Sequence, residues 1–201
     1  MERTTEVIAP KGHRTKVWNA PNTLSFIRMA AIPFVVGCLF DPGPFASFLA
    51  ALFFSIASLT DLLDGFIARQ QRNETAIGKL LDPLADKLLI NSALIMLIPL
   101  DRIPAWMVVL VVGREVAVTG LRGVASLEGL VIAASAWGKA KTVFQSIALI
   151  GLLLHYEYMG VDFHLLGMLL FWVALVITLW SGVDYFYNFY RGRQRKVIKG
   201  D

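Results

Sequence analysis

The chain has 201 residues, 56% hydrophobic and only 17% charged, with a mean hydropathy of +0.61 and a net charge of +4. That composition excludes an ordinary soluble domain of this length and places the chain in a bilayer. Its basic residues are not interleaved with exposed aromatics, which excludes a nucleic-acid surface and leaves the positive balance as a topology signal.

In chain order, residues 1–17 are a polar head without a signal-peptide pattern, read as a cytoplasmic segment. Uncharged stretches follow at Met29–Phe40, Pro42–Thr60, Leu88–Leu100, Ile103–Gly113, Thr142–Tyr156 and Leu165–Val183. Only the second and the last reach the roughly 18 residues of a plain spanning helix. The other four become long enough only when extended across a charged residue, so charges must sit inside helices. The expectation is an all-α integral membrane protein, with six transmembrane helices over residues 18–190 and a basic cytoplasmic tail at 191–201. Cys38, the single cysteine, lies in an apolar run and is given a structural role.

Alternating sides at each helix gathers Lys11, Arg14, Lys16, Arg69, Arg72, Lys79, Arg122, Lys139, Lys141 and the basic tail on one side. The opposite side receives Asp41, Asp101, Glu157 and Asp162, with Arg102 its sole basic residue. The positive-inside rule makes the basic side, and both termini, cytoplasmic. Charges inside the helices fall toward that same side: Arg28, then Asp61 and Asp64, Asp82 and Asp86, Arg114 and Arg122, Lys139 and Lys141, and Asp184. Ionisable groups at membrane depth face water-filled space, so the pattern predicts a polar chamber open to the cytoplasm and closed outward. A cation transporter would carry polar groups through the outer halves as well, and Pro42–Ile56 and Leu88–Leu100 are almost wholly apolar.

The aspartates are the most informative residues. At about 100° per residue, Asp61 and Asp64 share a face with Gly65 and Ala68, while Gly78, Asp82 and Asp86 form a second row. Small residues alone would be explained by close helix packing. Four acids beside them would not, since each costs about 2.5 to 3.5 kcal/mol at mid-membrane on insertion scales. Facing rows make an oxygen cage for Mg²⁺, Mn²⁺ or Ca²⁺, and the histidines, on the head or the outer loop, are read as exposed or interfacial rather than as ligands. Gly65, Ala68 and Gly78 leave room for a flat or phosphate-bearing ligand, and Arg69 offers a planar donor to phosphate oxygens. Asp86, one turn beyond Asp82, is placed to take a proton from an attacking hydroxyl. Arg114, Arg122, Lys139 and Lys141 then need an anion of their own, which a second, phosphate-bearing substrate would supply.

The string Asp61, Asp64, Gly65, Ala68, Arg69, Gly78, Asp82, Asp86 fits D-x-x-D-G-x-x-A-R-x(8)-G-x-x-x-D-x-x-x-D at every fixed position. It resembles the signature of the CDP-alcohol phosphotransferases. Two further stretches, Trp18–Arg28 with Asn22 and Thr23, and Gly113–Arg122 with Ala134–Thr142, look like the bacterial phosphatidylglycerophosphate synthase branch of that family. The resemblance spans about Val17 to Tyr187. It implies six transmembrane helices, a homodimer in the bacterial inner membrane, and displacement of CMP from CDP-diacylglycerol by glycerol 3-phosphate with Mg²⁺ or Mn²⁺, two per site. By the same likeness Asp61, Asp64 and Asp82 bind metal and diphosphate, and Asp86 is both ligand and base. Asn22, Thr23, Gly65, Ala68, Arg69 and Gly78 line the nucleotide, while Arg114, Arg122, Lys139 and Lys141 hold the acceptor phosphate. Serine, inositol phosphate or phosphatidylglycerol as acceptor, or an aspartate-rich prenyltransferase, are the competing readings.

Overall fold

In hydrocarbon only a helix satisfies every backbone N–H and C=O within its own segment, and the apolar stretches fold accordingly. The computed structural model describes residues 20–67, 76–129 and 136–199, with side chains at 26–60, 84–129, 137, 138 and 140–194. The elements are α1 (Ala20–Cys38), α2 (Pro44–Ile67), α3 (Ala76–Leu97), α4 (Ala105–Leu127), α5 (Ala136–Leu154), β1 (Glu157–Tyr158), β2 (Val161–Asp162) and α6 (Phe163–Lys199). Over Phe163–Gln194, α6 is long and apolar enough to cross a membrane. Shorter apolar helical stretches occupy Phe26–Cys38, Pro44–Thr60 and Ala140–Leu154. As expected, charges sit inside the helices: α4 carries Arg114, Glu115 and Arg122 in its body.

Two features add to the sequence reading. The basic segment 191–199 is helical and continues α6, whose 37 residues span about 55 Å against a hydrocarbon core of about 30 Å. Arg, Gln and Lys are good helix formers and carry the helix past Gly192, and Arg193 pairs with Glu128, just beyond the end of α4, at 3.4 Å. The connection after α5 forms a short hairpin. Met159 and Gly160, at φ 55° and 80°, make a two-residue turn that pairs Tyr158 with Val161 and Glu157 with Asp162.

Helix α5 runs along α6, α1 packs on α2 and α3, α2 on α5, and α4 on α6. Two glycines set the α5–α6 approach. A Cβ at Gly151 would lie 2.7 Å from Gly167 Cα, and one at Gly167 would lie 2.6 Å from Leu152 N. The backbones touch there because neither residue has a side chain. The apolar core, including Leu39, Phe54, Leu94, Met107, Leu152 and Phe171, fills the half of the bundle nearest the hairpin. Buried polar side chains Lys141, Gln145, Thr178 and Ser181 lie beyond it on α5 and α6.

Arg102, in the α3–α4 connection, closes the hairpin end. It is 2% exposed and donates from Nη1 to Leu153 O at 3.0 Å, and from Nη2 to Ser47 Oγ at 2.9 Å and Pro42 O at 3.4 Å. Its guanidinium lies 5.6 Å from the Tyr156 ring centroid, and Tyr156 and Tyr158 donate their hydroxyls to Pro42 O and Pro44 O. All three connections at this end are thereby tied together.

Candidate active site

Asp86 stands half-buried on α3, at the wall of a recess of about 280 Å³ counted out to its open mouth. Helix α3 contributes Asp86, Lys87, Ile90 and Asn91, a face that recurs every four residues. From α4 come Val111 and Glu115, again one turn apart, and from α5 Lys141, Thr142 and Gln145. The floor is apolar and the wall is polar.

Glu115 organises the wall. Its Oε1 accepts Arg114 Nη1 at 2.9 Å and also accepts Lys141 Nζ, so one carboxylate joins α4 to α5. Arg114 is otherwise committed to α6, donating from Nε to Thr178 O at 3.1 Å and from Nη2 to Ser181 Oγ at 2.8 Å. Gly182 gives it room, since a Cβ there would meet Arg114 Cγ at 3.1 Å. Gln145 donates to Thr178 Oγ1 at 3.3 Å, and Lys87 donates to Thr119 Oγ1 across the α3–α4 groove. Arg122 lies over the Tyr185 ring at 5.7 Å. Lys87 is close enough to feel the charges of Arg114 and Arg122, Lys141 those of Arg114 and Lys87, and Asp86 acts on both lysines. Against these four cations the described part of the site sets two carboxylates, Asp86 and Glu115, leaving a surplus of positive charge.

The other expected site residues are placed only by their backbone. Asp61, Asp64 and Gly65 occupy the last turns of α2, Gly78 and Asp82 the first turns of α3, Asn22 and Thr23 the first turn of α1, and Lys139 the first turn of α5. Their side chains lie outside the described residues, as do Ala68 and Arg69 altogether. Among the described residues the structure brings together Asp86, Arg114 and Lys141, with Arg122 alongside over Tyr185.

One premise of the sequence reading is corrected. Arg114 and Lys141 do not stand without an anion, because Glu115 serves both, and Arg114 has its donors spent on α4 and α6. Glu115, Lys87, Asn91 and Gln145 were not singled out by sequence. A signal existed for three of them: Lys87 follows Asp86 directly, Asn91 lies one turn beyond Lys87, and Gln145 falls one turn from Lys141. Among the described residues no three acid, His or Cys side chains converge to hold a metal; Glu115 serves Arg114 and Lys141, and Asp86 is the other recess carboxylate, an oxygen donor of the kind a hard cation takes. The described histidines are elsewhere: His155 and His164 face each other at the hairpin end, Nδ1 to Nδ1 at 3.2 Å.

Comparison with known proteins agrees over the whole of this region. The family model described as CDP-alcohol phosphatidyltransferase matches residues 18–180. A Bacillus subtilis (strain 168) protein named CDP-diacylglycerol--glycerol-3-phosphate 3-phosphatidyltransferase is 44% identical over 185 residues, covering 85% of this chain and 94% of the relative. Proteins of the same name from Rickettsia bellii (strain RML369-C) and Haemophilus influenzae (strain ATCC 51907 / DSM 11121 / KW20 / Rd) are 38% and 36% identical, each over 84% of this chain and over 93% and 91% of their own lengths.

Proposed function

The chain belongs to the CDP-alcohol phosphatidyltransferase family, and from that premise we propose that it transfers a phosphatidyl group from CDP-diacylglycerol to glycerol 3-phosphate, giving phosphatidylglycerophosphate and CMP. The observation that carries this is the near full-length identity, up to 44%, to relatives named for that reaction. Among the described residues, the lysines and arginines gathered beside the recess support an acceptor that is itself an anion.

In this reading Asp86 takes the proton of the acceptor's primary hydroxyl, for which it sits half-buried at the recess wall. The freed oxygen forms a bond to the lipid-side phosphorus, the bond from that phosphorus to the bridging oxygen breaks, and CMP leaves with that oxygen. Asp61, Asp64, Asp82 and Asp86 would hold Mg²⁺ or Mn²⁺, which when bound neutralises the diphosphate and the departing CMP. Asn22, Thr23, Gly65, Ala68, Arg69 and Gly78 accommodate the nucleotide. Lys141, Arg122 and Lys139 attract the acceptor phosphate, and Arg114 positions Glu115 and α6 behind them. The same reading puts the enzyme in a bacterial cytoplasmic membrane with six spans, a cytoplasmic chamber and termini, and a homodimeric assembly.

Purified protein supplied with CDP-diacylglycerol, glycerol 3-phosphate and Mg²⁺ or Mn²⁺ is expected to release CMP. Asp86→Asn should keep the fold and lose turnover. Substantial activity in that variant would assign the base elsewhere.

A further inference from the structure

Tyr185 on α6 is 7% exposed, and its hydroxyl finds no hydrogen-bond partner among the described residues. A buried hydroxyl left unmatched is costly, and native proteins rarely keep one without a use. Its surroundings say what would match it. The Arg122 guanidinium lies over the Tyr185 ring at 5.7 Å, within cation–π range. Arg122 in turn acts electrostatically on Lys87, which lines the recess beside Asp86, and on Arg114. A buried phenol whose ring carries a guanidinium offers two donors suited to anionic oxygens.

We propose that Tyr185 is a further binding group for the acceptor, donating its phenolic O–H to an oxygen of a phosphate monoester whose charge Arg122 neutralises. The proposal rests on the reading of the acceptor as glycerol 3-phosphate. It adds a residue on α6 to the cationic groups of α4 and α5, and it gives the ring two tasks, to carry Arg122 and to bond the same ligand.

Tyr185→Phe removes the hydroxyl alone and leaves the ring beneath Arg122. A lost hydrogen bond to a charged ligand should raise KM for glycerol 3-phosphate about tenfold, with kcat changed less than about twofold. Inhibition by inorganic phosphate should weaken by a similar factor, and KM for CDP-diacylglycerol should stay the same. Thermal stability in detergent, measured without phosphate, should be unchanged or higher, because the hydroxyl has no partner to lose. An unchanged acceptor KM would overturn the proposal, and so would a lowered melting temperature at unchanged KM, which would show the hydroxyl bonded within the protein. Wild-type turnover with glycerol 3-phosphate is the control for the parent reading. Should the wild type use a different acceptor, inorganic phosphate decides: stabilisation of the wild type against heat that is lost in Tyr185→Phe supports the site, and equal stabilisation of both overturns it.

Discussion

Lys141 of α5 donates to the Glu115 carboxylate of α4, and the same oxygen accepts Arg114 at 2.9 Å, so the recess beside Asp86 is closed on one wall by a single acid serving two cations. The side chains of Lys141 and Glu115 are 8% and 16% exposed. Desolvated charges of this kind depend on one another far more than surface pairs do.

Glu115→Gln therefore strands two buried cations close together. The expected loss is about 3 kcal/mol of stability, read as a lower melting temperature in detergent. In a cycle with Lys141→Met, the double variant should be less destabilised than the sum of the singles by about 1 to 3 kcal/mol. Additive losses would show that the pair is not coupled.

Arg102 makes a second prediction at the opposite end. It ties the α1–α2 connection, the end of α5 and the hairpin through one guanidinium. Arg102→Met leaves those carbonyls without their donor and should cost about 3 kcal/mol, while Arg102→Lys, which keeps charge but not the fork, should recover only part. The change in melting temperature for the two variants checks the order.

The hairpin end also carries a pH dependence. Burial first, then the charges of Arg102 and His164, hold His155 below its ordinary pKa, with Asp162 opposing them. A group depressed in the fold takes its proton first in the unfolded chain. Its contribution is therefore complete above about pH 6.5 and is lost as the pH falls through that value toward the folded one. Melting temperature should decline between pH 7 and 5 in the wild type and decline less in His155→Gln. Equal slopes would remove His155 from the account.

How much of this was legible in the sequence depends on how local each cause is. Asp61, Asp64, Asp82 and Asp86 declare themselves because four carboxylates in an apolar chain have no inexpensive explanation, and their spacing is a helical one. The apolar stretches locate the helices for the same reason. The end of α6 is not legible: charge stops at the membrane surface, but helix propensity through Arg191–Lys199 does not. Arg102 reads as a lone outer charge, since Pro42, Ser47 and Leu153 reach it only through the fold. Glu115 is hidden by its neighbour Arg114, because adjacent opposite charges look like a solvated pair until Lys141 arrives from another helix. Tyr185 is one aromatic among several in α6 until Arg122 is found over it.

The central claim is the reaction and its acceptor, and the most direct measurement is CMP release from CDP-diacylglycerol by the purified protein with Mg²⁺ or Mn²⁺, given in turn glycerol 3-phosphate, serine, inositol phosphate and phosphatidylglycerol. The account predicts release with glycerol 3-phosphate well above the other three. Release with serine alone would contradict it.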